Sequence, residues 1–171
     1  MIGFGSVDDL VRPVRLGLIG AALGLVALLI APFASEGRVV PRDGLWGGSV
    51  RGQACDESGC VRVTELGLFK LRARKVRQVG YNVLVACYNR DTRATYDVFF
   101  TVTKRRATAR LDSRGVARFT REERSDGRIG RVSVTIDFSG RRPLMKVRIA
   151  VGGRIERCNG NTTLPVKASP R

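Results

Sequence analysis

The chain has 171 residues with 31 basic and 15 acidic side chains, four cysteines and no histidine, for a net charge of +16. The absence of histidine removes the commonest general base and the commonest metal ligand. The length, once an apolar leader is set aside, suits one domain with a real core and leaves no room for two. The positive field favours polyanions, whether nucleic acid, phosphate-rich envelope polymers or anionic lipid headgroups, although basic side chains on outward strand faces also simply keep a sheet soluble. Arginine outnumbers lysine 26 to 5, which fits bidentate phosphate contacts and equally a GC-rich genome.

Residues 1–15 read as a short cytoplasmic tail. Leu16 to Phe33 follow as eighteen residues without a charge. At a helical rise of about 1.5 Å per residue this run covers roughly 27 Å, close to a bilayer's hydrocarbon core. No polar positions recur at helical spacing, so the run predicts a single transmembrane helix over 16–33. A cleaved signal peptide begins in the same way and would leave the domain secreted. The run is longer than a usual signal core, however, and Ala31-Pro32-Phe33-Ala34-Ser35 lacks a clean small-x-small site, so retention as a signal anchor is expected. Gly17, Gly20 and Gly24 form a small-residue stripe on this helix that suits a homodimer. The basic residues near the run, Arg12 and Arg15 before it and Arg38, Arg42 and Arg51 after it, weakly favour a cytoplasmic C-terminus. Long domains translocate largely regardless of such charges, and the cysteines favour an extracytoplasmic one.

Residues 34–49 read as a linker, with Pro41 and the Gly47-Gly48 pair discouraging regular structure. Trp46, the only tryptophan, is expected to pack against the first strand. From residue 50 to 171 the pattern is strand, turn, strand. Val132, Val134, Ile136 and Phe138 alternate with polar residues, and Val147, Ile149 and Val151 repeat the alternation. Tyr81 to Tyr88 and Tyr96 to Val102 are apolar on both faces, as central strands are. Turn formers separate the runs at Ser58-Gly59, Arg114-Gly115, Asp126-Gly127, Ser139-Gly140, Gly152-Gly153 and Asn159-Gly160. Seven to nine short strands of this kind predict an all-β, two-sheet antiparallel sandwich of Ig-like type.

All four cysteines lie in the strand region. An even count beyond an apolar leader favours two disulfides, while the competing readings are a four-thiolate zinc site or free buried thiols; only Cys55 and Cys60 form the close pair that zinc sites usually show twice. Cys87 shares an inward face with Val83 and Val85, and a bond from it to Cys158 would close a loop of about 70 residues, contributing about 4 kcal/mol by the chain-entropy relation. A Cys55 to Cys60 bond would close only a short loop.

No catalytic, metal or cofactor site is expected. The serines have no suggested base, the acids stand beside arginine or in turns, and Asp56 and Glu57 form an ordinary exposed acidic turn. The candidates for polyanion contact are two dense basic runs, Lys70, Arg72, Arg74, Lys75 and Arg77, then Lys104, Arg105 and Arg106. The aromatics Tyr81, Tyr88, Phe99, Phe100 and Phe138 fall in strand cores rather than beside them, so base stacking, and with it specific nucleic-acid binding, is not expected. Asn161-Thr162-Thr163 fits a glycosylation acceptor.

The strand carrying Cys87, the Gly115-Val116-Ala117-Arg118-Phe119 element, the Ile136-Asp137-Phe138-Ser139-Gly140-Arg141 turn and the late Cys158-Asn159-Gly160 resemble a loosely defined group of secreted or envelope-attached β-domains of high-GC actinobacteria. The resemblance implies an extracytoplasmic β-sandwich with a mid-chain to late disulfide, Cys87 to Cys158, and carries no settled activity. The extra pair Cys55 and Cys60 departs from the group. The expectation is therefore a single-pass, membrane-anchored, extracytoplasmic module of the cell envelope whose basic surface meets an anionic polymer or protein. The alternative is a membrane-tethered intracellular nucleic-acid binder with reduced cysteines.

Overall fold

The computed structural model describes residues 39–170, and over them the chain is all-β and antiparallel. The nine strands are β1 (Gly44–Asp56), β2 (Gly59–Arg72), β3 (Lys75–Asn89), β4 (Thr95–Arg106), β5 (Val116–Ser125), β6 (Arg128–Asp137), β7 (Leu144–Gly152), β8 (Glu156–Pro165) and β9 (Lys167–Ala168). The transmembrane segment expected at 16–33, with Gly17, Gly20 and Gly24, lies outside the described residues. Strand identity follows from the alternation: in β7, Met145, Val147, Ile149 and Val151 are buried while Lys146, Arg148 and Ala150 face water, the period-two arrangement of a half-buried strand.

The order is β5-β6-β7-β8-β3-β2-β1-β9, with β4 on the other edge of β3. β3 is the pivot. Its first half pairs with β2, from Arg72 opposite Lys75 to Leu66 opposite Asn82, and its last residues pair with β8, from Ala86 opposite Asn159 to Asn89 opposite Glu156. The β1–β2 ribbon therefore peels away where β8 takes over. At that fork the ladder cannot satisfy every group, and the inward-facing carboxylate of Glu65 does so instead: Leu84 N donates to it at 3.0 Å and the Thr162 hydroxyl donates to the same oxygen. Buried backbone donors must find some partner, so Glu65 is a structural acid.

The two layers expected of a sandwich are two halves of one continuous sheet folded face to face. β2 lies against β7 and β8 at Gly67, where a Cβ would stand 2.5 Å from Leu164 and 2.9 Å from Met145. β4 lies against β6 at Gly130, where a Cβ would meet Phe100 at 3.2 Å. Between the layers Trp46 stacks on Phe69 with centroids 6.2 Å apart and meets Phe138 edge-on at 4.8 Å. Each such buried aromatic contributes on the order of 1.5–3 kcal/mol of transfer free energy.

Three expectations are corrected. The linker ends before residue 49, because β1 begins at Gly44 and Trp46 is already core; Gly48 does not break the strand but permits a crossing, since a Cβ there would lie 1.9 Å from the Pro165 carbonyl oxygen. Asn159-Gly160 is not a turn but the middle of β8, with Gly160 required because a Cβ would approach the Leu84 carbonyl oxygen to 2.6 Å. β4 is not central: its free edge faces that of β5 without a ladder, joined by Thr101 N donating to Ser125 Oγ at 3.0 Å and by Arg121 Nη1 donating to the Arg106 carbonyl. Its second apolar face arises because the β1–β2 ribbon reaches it, Cys55 N donating to Asp97 Oδ2 at 2.8 Å.

Candidate functional site

The two basic runs converge at one end of the domain. Lys70 and Arg72 project from the end of β2, Lys75 and Arg77 from the start of β3, and Arg105 and Arg106 from the end of β4, with Lys104 preceding them in that strand. Their outward direction is set by what points inward, since Leu71, Val76 and Val79 are core. The register makes the runs neighbours: Lys70 stands opposite Gln78, which stands opposite Arg106. Strands lie about 4.8 Å apart, so adjacent cations fall within the ~8–10 Å Debye length of ordinary salt and their potentials add.

The turn between β2 and β3 is a tight two-residue one, Arg72 standing opposite Lys75. Ala73 and Arg74 both take positive φ, 49° and 58°, a left-handed conformation that costs non-glycine residues roughly 1–2 kcal/mol each. Asp43 accepts the Ala73 amide at 2.8 Å, and Arg74 Nη2 donates to the Asp112 carbonyl at 2.7 Å. Residues 107–111 run back along β3: Ala107 N donates to Arg77 O, Val76 N to Ala109 O and Leu111 N to Arg74 O, each at 2.8–2.9 Å. This return places Arg110 opposite Lys75, a ninth basic residue that sequence spacing did not attach to the cluster. The signal for it was Ala107 and Leu111, whose burial ties the segment down.

Acids near this end are few and already used. Asp112 is held below the usual carboxylate range by the Val116 amide, with the Arg114 amide and charge adding to it. Glu123, 7% exposed, ion-pairs with Arg121 and reaches Arg105 Nε at 3.7 Å; with Arg105 62% exposed, that second contact leaves its charge largely to solvent. Deeper in the same seam, burial pushes the Tyr81 phenol well above its ordinary range, and the charge of Glu123 adds to the shift.

At the opposite end one ion pair is well formed. Arg128 Nε donates to Glu156 Oε2 at 2.8 Å and Nη2 to Oε1 at 3.1 Å, a bidentate contact, and the Tyr96 hydroxyl donates to the same carboxylate. Glu156 is held below its ordinary range chiefly by Arg128, with burial opposing the shift and Tyr96 reinforcing it. It lies beside Cys87 and Cys158, but those sulfurs are bonded to each other. Cys87–Cys158 joins directly opposed residues of β3 and β8, with Cα atoms 4.0 Å apart, and Cys55–Cys60 does the same at the tip of the β1–β2 hairpin at 4.1 Å. No described cysteine is free. The zinc and free-thiol readings are thereby set aside, and two disulfides point to an oxidising, extracytoplasmic environment.

The surface also carries hollows, one of about 330 Å³ lying beside Arg51, Gly52, Gln53 and Arg62. An open cleft of about 410 Å³ on the outer face of β6–β8 is flanked by Arg131, Arg148, Asn159 and Asn161; none of these was singled out as a ligand contact, because each reads as the water face of its strand. Asn161 of the glycosylation tripeptide is exposed there, while Thr162 is buried on Glu65. A smaller apolar hollow of about 170 Å³ lies over β2–β4 beside the basic end. Comparison of the chain with family models, curated proteins and solved structures finds no match.

Proposed function

We propose that the protein is a membrane-anchored, extracytoplasmic binding module of the cell envelope, retained by residues 16–33 as a signal anchor, whose basic end contacts an anionic polymer or protein. The observation that carries this reading is the convergence of Lys70, Arg72, Arg74, Lys75 and Arg77 with Arg105, Arg106 and Arg110 on one end, where the nearby carboxylates are engaged with backbone or with Arg121. The disulfides and the resemblance to actinobacterial envelope domains support the extracytoplasmic side of the proposal.

The test is retention of the full chain, in detergent, on a phosphate-bearing polymer at rising salt. Replacing Lys70, Arg72, Arg74, Lys75 and Arg77 by Gln is expected to lower the eluting salt concentration and flatten its salt dependence, because fewer counterions are released on binding. Unchanged retention rejects this surface. Mass measurement with and without alkylation, on protein taken from native membranes, is expected to find no free thiol; four would instead fit a reduced, intracellular binder.

A further inference from the structure

Beside the basic turn, the outer face of β9-β1-β2-β3-β4 departs from the pattern of the other strands. Leu45 and Leu66 are each 48% exposed and Leu68 is half-buried, in positions where the other layer carries Lys146, Arg148 and Asn161. The register joins them. Leu45 stands opposite Lys70, in the row that continues to Gln78 and Arg106. The next row has Gly47 opposite Leu68 and Leu68 opposite Gly80, with Lys167 beyond Gly47. The third has Ser49, Leu66, Asn82 and Thr101. Gly47 and Gly80 carry no side chain, which leaves the apolar hollow of about 170 Å³ between Leu66, Leu68 and Thr103. No carboxylate stands in these three rows. Val40, 80% exposed, precedes β1, and the chain enters the domain at this same end, Asp43 accepting the Ala73 amide.

We infer that this leucine face docks on an anionic lipid surface, the leucines entering between headgroups and Lys70, Arg106 and Lys167 pairing with lipid phosphates. The inference rests on reading the basic end as a surface for anionic partners, and names the partner of the strip that adjoins it. Aliphatic side chains on an open face, bordered at one end and one side by cations and without acids among them, match an interface that is apolar below and negative above. A purely polymeric phosphate ligand would give Leu45, Leu66 and Leu68 nothing to contact. Base stacking is excluded on this face because its rows contain no aromatic side chain.

The full chain, reconstituted in vesicles of phosphatidylcholine alone or mixed with phosphatidylglycerol, tests this with a nitroxide at Leu68→Cys or, in a second variant, Asn82→Cys. A nitroxide at Arg148→Cys on the other layer is the control, and mass measurement verifies that both native disulfides are intact. In phosphatidylglycerol vesicles the ratio of oxygen to nickel-complex accessibility is expected to rise several-fold at Leu68 and Asn82, to fall back at high salt, and to stay low at Arg148. Labels that remain water-exposed in both lipids overturn the inference. So do labels shielded from both reagents in neutral lipid or detergent as protein concentration rises, which would mean that a second copy covers the face. Polymer retention that persists alongside water-exposed labels removes lipid docking and leaves the anionic-partner reading intact, whereas its loss on the unlabelled chain removes that reading by itself.

Discussion

The two disulfides sit in opposite circumstances, and the contrast shows what each region of the domain depends on. Cys87–Cys158 is buried, with both residues at or below 1% exposure, and joins strands separated by 71 residues at the pivot where β3 passes from β2 to β8. Cys55–Cys60 is at an exposed hairpin tip and joins residues five apart that the β1–β2 ladder already holds together. The first links the two layers; the second trims the end of a ribbon. Chain entropy says the same, since the longer loop restricts the unfolded ensemble more.

The strongest way to break this contrast is to remove the buried bond. Cys87→Ser with Cys158→Ser is expected to lower unfolding free energy by about 4 kcal/mol, read from thermal or denaturant unfolding; a loss no larger than that at the hairpin tip would contradict the assigned roles. The next effect belongs to the fork beside it. Glu65→Ala leaves the Leu84 amide and the Thr162 hydroxyl without their acceptor and is expected to cost about 1–3 kcal/mol, with hydrogen exchange at Leu84 accelerating. Cys55→Ser with Cys60→Ser is expected to cost no more than the roughly 2 kcal/mol that chain entropy gives for so short a loop, the change appearing mainly as faster exchange in residues 53–62, because an exposed tip can open without the domain unfolding. Graded reduction sharpens the comparison, since the exposed bond should be reduced before the buried one. Mass analysis that finds Cys87–Cys158 reduced first would reverse the ordering.

The smallest effect is on acid stability. Glu156 beside the buried disulfide has its folded pKa below the ordinary 4.5, chiefly through Arg128. Its contribution is therefore present above the ordinary value and is lost as pH falls through the folded one. Glu156→Gln should flatten that part of the acid-side slope, read from stability measured across the acid range. An unchanged slope would mean that Arg128 does not hold the carboxylate in solution.

Much of this was legible along the chain. Alternation at 132–138 and 147–151 marks half-buried strands because a strand's side chains alternate rigidly between faces. The inward side of Cys87 follows from the same rule. What misled were the glycines. Gly47-Gly48 and Asn159-Gly160 have turn composition but lie within strands, because glycine is also what allows one backbone to approach another, and only the Pro165 and Leu84 carbonyls reveal the approach. Tyr96 to Val102 has the composition of a central strand although β4 is an edge, since a ribbon from the N-terminal half covers it. Arg110 and the leucine face were likewise hidden: residues 45, 66 and 68 look like ordinary strand apolar positions until the register shows which side of the sheet they occupy.

Composition and periodicity by themselves determined an all-β domain with a strongly basic exterior, inward-facing Cys87 and two dense cationic runs, because these properties are local to a strand or additive over the chain. Tertiary structure alone decided that β3 hands over from β2 to β8, that Glu65 fills the resulting fork, and that cations some thirty residues apart share one end with two exposed leucines and a half-buried third. Those are matters of long-range register, and register is set by which backbones can come close, a constraint that no single segment carries.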